Sequence, residues 1–459
     1  MSQYLALLAC IVFVAWLYVR DRDLRPMTSG GLWIPLLWVM LIGTRTSSYW
    51  LDFEVDPDQI YASSLEGSPL DRNVFLALII AGGLALFGRR VNWGELFASN
   101  RWLFFFFLYC GVSVIWSDYP FPSLKKYTKD LGNLVMILII LTESKPVTAV
   151  KAVFARYIYL AIPLSVVLIY FFPSLGTYIQ NSSNTILYCG VTTNKNELGS
   201  ILAISGVFLV WDLLGRREVG RTKIDLVLRS LLLAMVIWLL VIVDSATSRI
   251  CLAIGITILL CDRLPFIRGQ VRHLGVYSLV IISLTVFLFS YPAITEAFFR
   301  FVGRDITFTG RTDIWQGLLK EPINPLVGTG FQSFWLRPGL VERMDRFDHI
   351  NEAHNGYLEI YLNGGLLGLG LLLAMIVSVW SKLKRGVMNE SSMATLFFAF
   401  LVMVGFYNLT EAGFSRLGLT WFVFLLAALG YPLPDLKGAS LEAKPGGVRV
   451  ASSLLQFKG

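Results

Sequence analysis

NEAHNGYLEIYLNGGLLGLG, residues 351–370, passes from a long polar loop straight into an apolar segment. His354, one of three histidines in the chain, stands at the join. A helix that starts near Asn355 places Asn355, Glu359 and Asn363 at i, i+4 and i+8, on one face. A carboxylate and two amides are costly to leave against lipid, so this face is expected to turn inward, to the bundle or to water. Gly364 and Gly368 stand four apart, a spacing of small residues that lets another helix come close. The plainer alternative is a helix-capping polar patch with His354 exposed by chance.

Outward from this stretch, apolar runs of membrane-spanning length recur along all 459 residues. The composition is 55% hydrophobic and only 15% charged, with mean hydropathy +0.64. Ordinary soluble domains carry roughly 25% charged residues. The expected fold is an all-α polytopic membrane protein. Spans are expected near 3–19, 31–43, 74–88, 102–116, 131–143, 152–171, 197–214, 226–243, 248–262, 274–290, 355–380, 394–410 and 417–431. That gives about 12–13 transmembrane helices; some, such as 31–43 and 131–143, fall short of the roughly 20 residues of a full span. The organisation expected is N-terminal helices over 1–290, a large periplasmic loop over 291–354, C-terminal helices over 355–431 and a cytoplasmic tail over 432–459.

The net charge of +8 is dispersed through short loops, which topology explains without nucleic acid. RDRDLR (20–25), Arg89-Arg90 with Arg101, GRREVGRTK (215–223), DRLPFIRGQVR (262–272) and KLKR (382–385) fall in alternate loops, on the cytoplasmic side. The acidic loop 51–60, residues 172–196 and the loop 291–354 then lie outside. Lys125, Lys126 and Lys129 go against this bias and read as interfacial, snorkelling side chains. Five scattered cysteines with no CxxC argue against a disulfide framework or a zinc site. In the long loop, ITEAFFRFV and DIWQGLLKE read as short amphipathic helices and NPLVGTGFQSF as a turn. Phe331, Phe334 and Trp335 suggest a part lying at the membrane surface.

The outward ends of the proposed spans collect the chemistry. GVTTNKNELG (190–199) offers Lys195 and Asn196, DSATSR (244–249) offers Arg249, TGRTDIW (309–315) offers Arg311, and His354 with Asn355 completes the set. Guanidinium forks bind phosphate oxygens in pairs and Lys adds a point charge. Two Arg and a Lys suit a diphosphate and the charge that grows on it as it leaves. A neutral His there suits removal of a proton from an attacking sugar hydroxyl. No acidic DxD-type motif sits on the outer side near these groups, so no metal and no cofactor is called for. Duller readings stand beside these. Arg249 and Lys195 could anchor lipid headgroups, Arg311 could pair with Asp313 or Asp305, and Glu359, expected to bind substrate with Lys195, Asn196 and Asn355, could instead bond across helices. His349 reads as solvated and His273 as a loop charge.

WSDYPFPSL (116–124), GVTTNKNELG (190–199), the SR turn (248–249), GRTDIW (310–315), NPLVGTGFQSFW (324–335) and AHNGYLEIYLNGGLLG (353–368) occur in that order. Together they resemble the O-antigen ligase and polysaccharide polymerase superfamily of bacterial envelopes. The resemblance implies a GT-C-like bundle in the inner membrane, with its site facing the periplasm. It implies a glycosyltransferase, inverting and metal-independent, that moves glycan from an undecaprenyl-diphosphate carrier to an acceptor hydroxyl. The acceptor is a lipid-linked repeat unit for polymerases and lipid A-core for ligases. By resemblance His354 matches the proposed base, and Arg249 and Arg311 match the two arginines that handle the diphosphate. Lys195 and Asn196 match a KN motif of exopolysaccharide polymerases. A lipid-linked oligosaccharide flippase and a non-catalytic assembly partner are the other classes open to this sequence. A flippase would need charges near mid-bilayer, whereas these gather at one face.

Overall fold

The computed structural model describes residues 2–24, 29–51, 68–89, 91–180, 185–215, 222–264, 311–337 and 352–429, with positions 266, 270, 339 and 340. Helices α1 Gln3–Leu24, α2 Trp33–Ile42 and α3 Ser47–Leu51 are followed by α4 Pro69–Phe87. Next come α5 Trp93–Ser99, α6 Arg101–Ser113, α7 Pro120–Leu141 and α8 Pro146–Phe171. A short turn of helix, α9 Pro173–Gly176, leads into an antiparallel hairpin of β1 Thr177–Gln180 and β2 Thr185–Tyr188, with Ile179 opposite Ile186. The chain continues as α10 Lys195–Leu214, α11 Lys223–Val243, α12 Ala246–Cys261, α13 Arg311–Leu319, α14 Gly356–Met388, α15 Ser392–Tyr407 and α16 Leu419–Leu429.

Local chemistry sets several of these starts. Asn194 caps α10, its side-chain oxygen taking the N–H groups of Asn196 and Glu197 at 3.1 and 2.9 Å. Thr222 and Asp225 form a reciprocal capping box at the head of α11. Asn355 caps α14 by accepting from the N–H groups of Tyr357 and Leu358.

Among the described residues, six helices are long and apolar enough to cross a membrane, and seven if α5 and α6, bent by 90°, count as one span. Helices α2, α12, α15 and α16 are shorter apolar rods. The expected span 274–290, the segment ITEAFFRFV, most of the acidic loop, His273, His349 and the tail 432–459 lie outside the described residues. Every residue of α16 is buried, with Trp421, Phe422 and Phe424 at 0% exposure. It runs as a central strut against α7, α10, α14 and α15. Helices α1 and α4 do the opposite: they expose Leu5, Leu8, Val12 and Trp16, and Leu76, Ile80 and Leu84. Water would penalise such apolar faces and a bilayer core would not. The chain is an all-α polytopic membrane protein.

The two ends of α10 mark two polar layers. At its C-terminal end, buried Asp212 pairs with Arg229 at 2.6 Å and with Lys151 at 3.4 Å, joining α8, α10 and α11. Arg156–Asp21 ties α8 to α1 in the same way. At its N-terminal end lie the groups the sequence picked out.

Helix α14 is broken where it meets the loop. Gly365 takes φ +61° and ψ −163° inside it. The turn Asn324–Gly330 enters the break: Leu366 and Leu367 donate to the carbonyls of Pro325 and Leu326, and Thr329 and Gly330 donate to those of Leu362 and Asn363. Orphaned helix groups are thus satisfied by a loop rather than by water. Gly364 and Gly368 do admit a close neighbour; it is the ring of Tyr109 on α6, whose hydroxyl donates to the Gly364 carbonyl at 2.6 Å. The aromatic stretch 331–335 departs from expectation. Phe331 and Phe334 are buried within the protein, and Trp335 donates to Glu359 at 2.7 Å. The polar face of α14 needs partners at depth, and this loop supplies them. Lys126 likewise does not snorkel; its ammonium donates to the Gln332 carbonyl at 3.1 Å.

Candidate functional site

The centre of the site is a carboxylate outside the motifs read from sequence. Glu411, 3% exposed, sits in the turn between α15 and α16. Asn408 builds that turn: its side-chain oxygen accepts from the N–H groups of Gly413 and Phe414, both at 2.8 Å. The N–H of Gly356 donates to the carbonyls of Asn408 and Glu411, which fastens the head of α14 beside it. Glu411 then gathers three side chains. Arg311 reaches it at 2.8 Å and also donates to the Thr410 carbonyl. Asn196 donates to it at 3.1 Å, and His354 Nδ1 lies 3.3 Å away.

His354 Nδ1 is also 2.9 Å from Glu352. Glu352 passes to Arg416 at 3.0 Å, and Arg416 to Glu359 at 3.3 Å. Glu359 closes the chain by accepting from Trp335 and from the N–H of Ala353. The polar face of α14 is therefore turned inward, as its spacing predicts: Glu359 and Asn363 are 5% and 8% exposed. His354 itself holds φ +46°, a left-handed conformation that side chains other than Gly rarely adopt. Such strain persists only where the surroundings hold it.

The electrostatics differ from the sequence expectation of a neutral imidazole. Burial pulls the His354 pKa down, but hydrogen bonds and charge from Glu352 and Glu411 outweigh it and raise the pKa to about 9. Burial likewise pushes Glu352 up, and Arg416, His354 and Arg311 more than reverse it, holding the carboxyl below its usual range. Glu352, His354 and Glu411 also place three donor atoms within 4.8 Å of one another, close enough for a divalent cation. In the present arrangement Arg416, Arg311 and the imidazole itself match their charge.

Arg311, His354, Asn196, Asn355 and Glu359 thus come together. Arg311 pairs with Glu411 rather than with Asp313, and both its terminal nitrogens are engaged within the protein. Arg249 does not join the shared carboxylates. Its guanidinium pairs with Asp244 at 2.7 Å and is 45% exposed. Its helix does arrive there, because Thr247 bonds Thr410 at 2.8 Å. Lys195 opens α10 next to Asn196, with its backbone N–H 3.4 Å from the Tyr178 hydroxyl and no ion pair among the described residues. Sequence reasoning missed Glu411, Arg416 and Glu352. The available signal was EAGFSR, a charged interruption between two apolar runs on the same side as His354.

A cavity of about 290 Å³ adjoins the cluster, with Arg45, Asn196, Glu197, Glu352, Glu411 and Arg416 in its wall. Glu352 and Glu411 thus serve both the cavity wall and the bridge to His354.

Apolar helices with lipid-facing flanks, enclosing an ionic centre at one end, define a multi-pass membrane protein with a polar site at the bundle's end. Residues 187–373, which carry Lys195, Arg249, Arg311 and His354, match the O-antigen ligase family. The exopolysaccharide production protein ExoQ of Rhizobium meliloti (strain 1021) is 28% identical over 306 residues, 63% of this chain and 66% of that protein. The chain thus spans just under two thirds of that relative's length. These matches make the chain similar to the O-antigen ligase and polysaccharide polymerase superfamily.

Proposed function

We propose that this chain is an inner-membrane glycosyltransferase with its site on the periplasmic face, transferring oligosaccharide from undecaprenyl diphosphate to a sugar hydroxyl. The observation that carries this reading is the shared use of Glu411 by His354 and Arg311. With Nδ1–H donated to Glu352 and Glu411, the other ring nitrogen, Nε2, is left to act as base when the imidazole is neutral. The acceptor oxygen attacks the anomeric carbon with inversion, and its proton passes to Nε2. The bond from that carbon to the diphosphate breaks, and the diphosphate leaves with the electron pair. Arg311, with Arg249 and Lys195, stabilises the departing charge in place of a metal. Because Arg311 is already engaged, the arriving diphosphate exchanges for Thr410 or Glu411 as its partner. Asn196 and Glu359 hold the frame. The carrier's lipid tail enters sideways between helices, since leaving the bilayer would expose it to water.

The exopolysaccharide role named for the relative favours polymerisation of a lipid-linked repeat unit over ligation to lipid A-core. Incubation of the purified protein with a defined lipid-linked repeat unit, with and without lipid A-core, tests both. A ladder of products is expected; a single capped product on lipid A-core would make it a ligase, and no glycan transfer to either acceptor would sink the reading. Arg311→Ala is expected to abolish transfer while the protein still inserts and folds. Turnover is expected to survive EDTA, and its loss with rescue by a divalent cation would instead give the Glu352–His354–Glu411 cluster a metal.

A further inference from the structure

Arg45, in the turn after α2, is 7% exposed and pairs with no carboxylate among the described residues. Its Nε donates to the Thr192 carbonyl at 3.0 Å, and its Nη2 to the carbonyls of Leu175 and Gly190. Its other contacts among the described residues, Cys189 Sγ at 3.5 Å and the Trp50 ring at 5.6 Å, are also neutral. Nη1 bonds none of these groups. Carbonyl dipoles hold the fork, and no carboxylate among the described residues pairs with this buried cation, an arrangement that is costly. Glu197, in the wall of the same cavity, takes the hydroxyl and N–H of Thr193, and its charge also acts on Arg416.

The cavity thus holds in its wall Arg45, Glu197 and the amide of Asn196 beside Arg416, Glu352 and Glu411, which pair within the ionic cluster. Its volume lies at the lower edge of the roughly 300–1,000 Å³ of small-ligand sites. That is room for one pyranose ring, whose hydroxyls suit a carboxylate and an amide. The geometry points to a subsite for a single sugar residue bearing an acidic group, with the acid on Arg45 Nη1 and the hydroxyls on Glu197 and Asn196. This rests on the transferase reading for the source of the sugar, and it makes Arg45 a specificity determinant rather than part of the bond-making centre.

The test is binding, measured by calorimetry on the purified full chain with D-glucuronate, D-glucose and inorganic pyrophosphate at matched ionic strength. Glucuronate is expected to bind at least tenfold more tightly than glucose, and Arg45→Gln to remove that preference. Because Arg45 also tethers loop carbonyls, Glu197→Ala serves as a second variant that leaves those tethers intact. It should weaken both sugars several-fold at an unchanged melting temperature. Equal binding of the two sugars, no binding of either, or no effect of Glu197→Ala overturns the subsite. Arg45-dependent displacement of glucuronate by tighter-binding pyrophosphate overturns it too, by assigning the anion to the carrier's diphosphate. Glucuronate binding in a protein that transfers nothing would leave the subsite standing and remove the transferase reading instead.

Discussion

His354 faces two carboxylates through one ring nitrogen, and its pH behaviour follows from that. With a pKa near 9, the base exists at neutral pH as a small fraction. Transfer is expected to rise about tenfold per pH unit from pH 7 and level off near 9. Glu352→Gln removes one of the carboxylates that raise the pKa, so the profile should level off at a lower pH; an unmoved profile would mean that His354 is not the titrating base. The stability linkage runs the other way. A folded pKa above the unfolded value of about 6.5 stabilises the protein fully below that value, and the contribution fades as pH rises through 9. The pH of best turnover and the pH of best stability therefore separate.

At the scale of the element, the break in α14 holds the loop. A Cβ on Gly365 would lie 2.3 Å from the Leu326 carbonyl, at a backbone angle side chains avoid. Gly365→Ala should cost at least about 1–3 kcal/mol in detergent melts, because neither the loop nor the helix can shift without losing the hydrogen bonds between them. Gly370→Ala, five residues on with nothing within 4 Å, should be neutral or slightly stabilising. Equal effects of the two would show that the break is not fixed by the glycine. The paired glycines Gly364 and Gly368 were legible as a close-approach surface. Gly365 was not, because its use depends on a turn forty residues earlier in the chain.

Across the whole molecule, α10 links the candidate site to the buried ionic layer at the opposite end. Asp212 there balances both Lys151 and Arg229. Asp212→Ala leaves two buried cations without it and is expected to destabilise by about 3–5 kcal/mol, read as a fall in melting temperature of the solubilised protein. A fall no larger than that of an exposed control would show the layer to be hydrated. The sequence by itself determined the helical membrane class, the apolar character of the long helices and the inward face of α14. Each depends on hydropathy and spacing along a single segment, which local composition carries. Only the tertiary structure decided that Glu411 joins Arg311 to His354, that Arg249 turns to Asp244, and that Arg45 stands beside a cavity. Those are choices of partner between groups from 5 to 100 or more residues apart, and they are settled by which helix ends the packed bundle brings within 3 Å or so of one another.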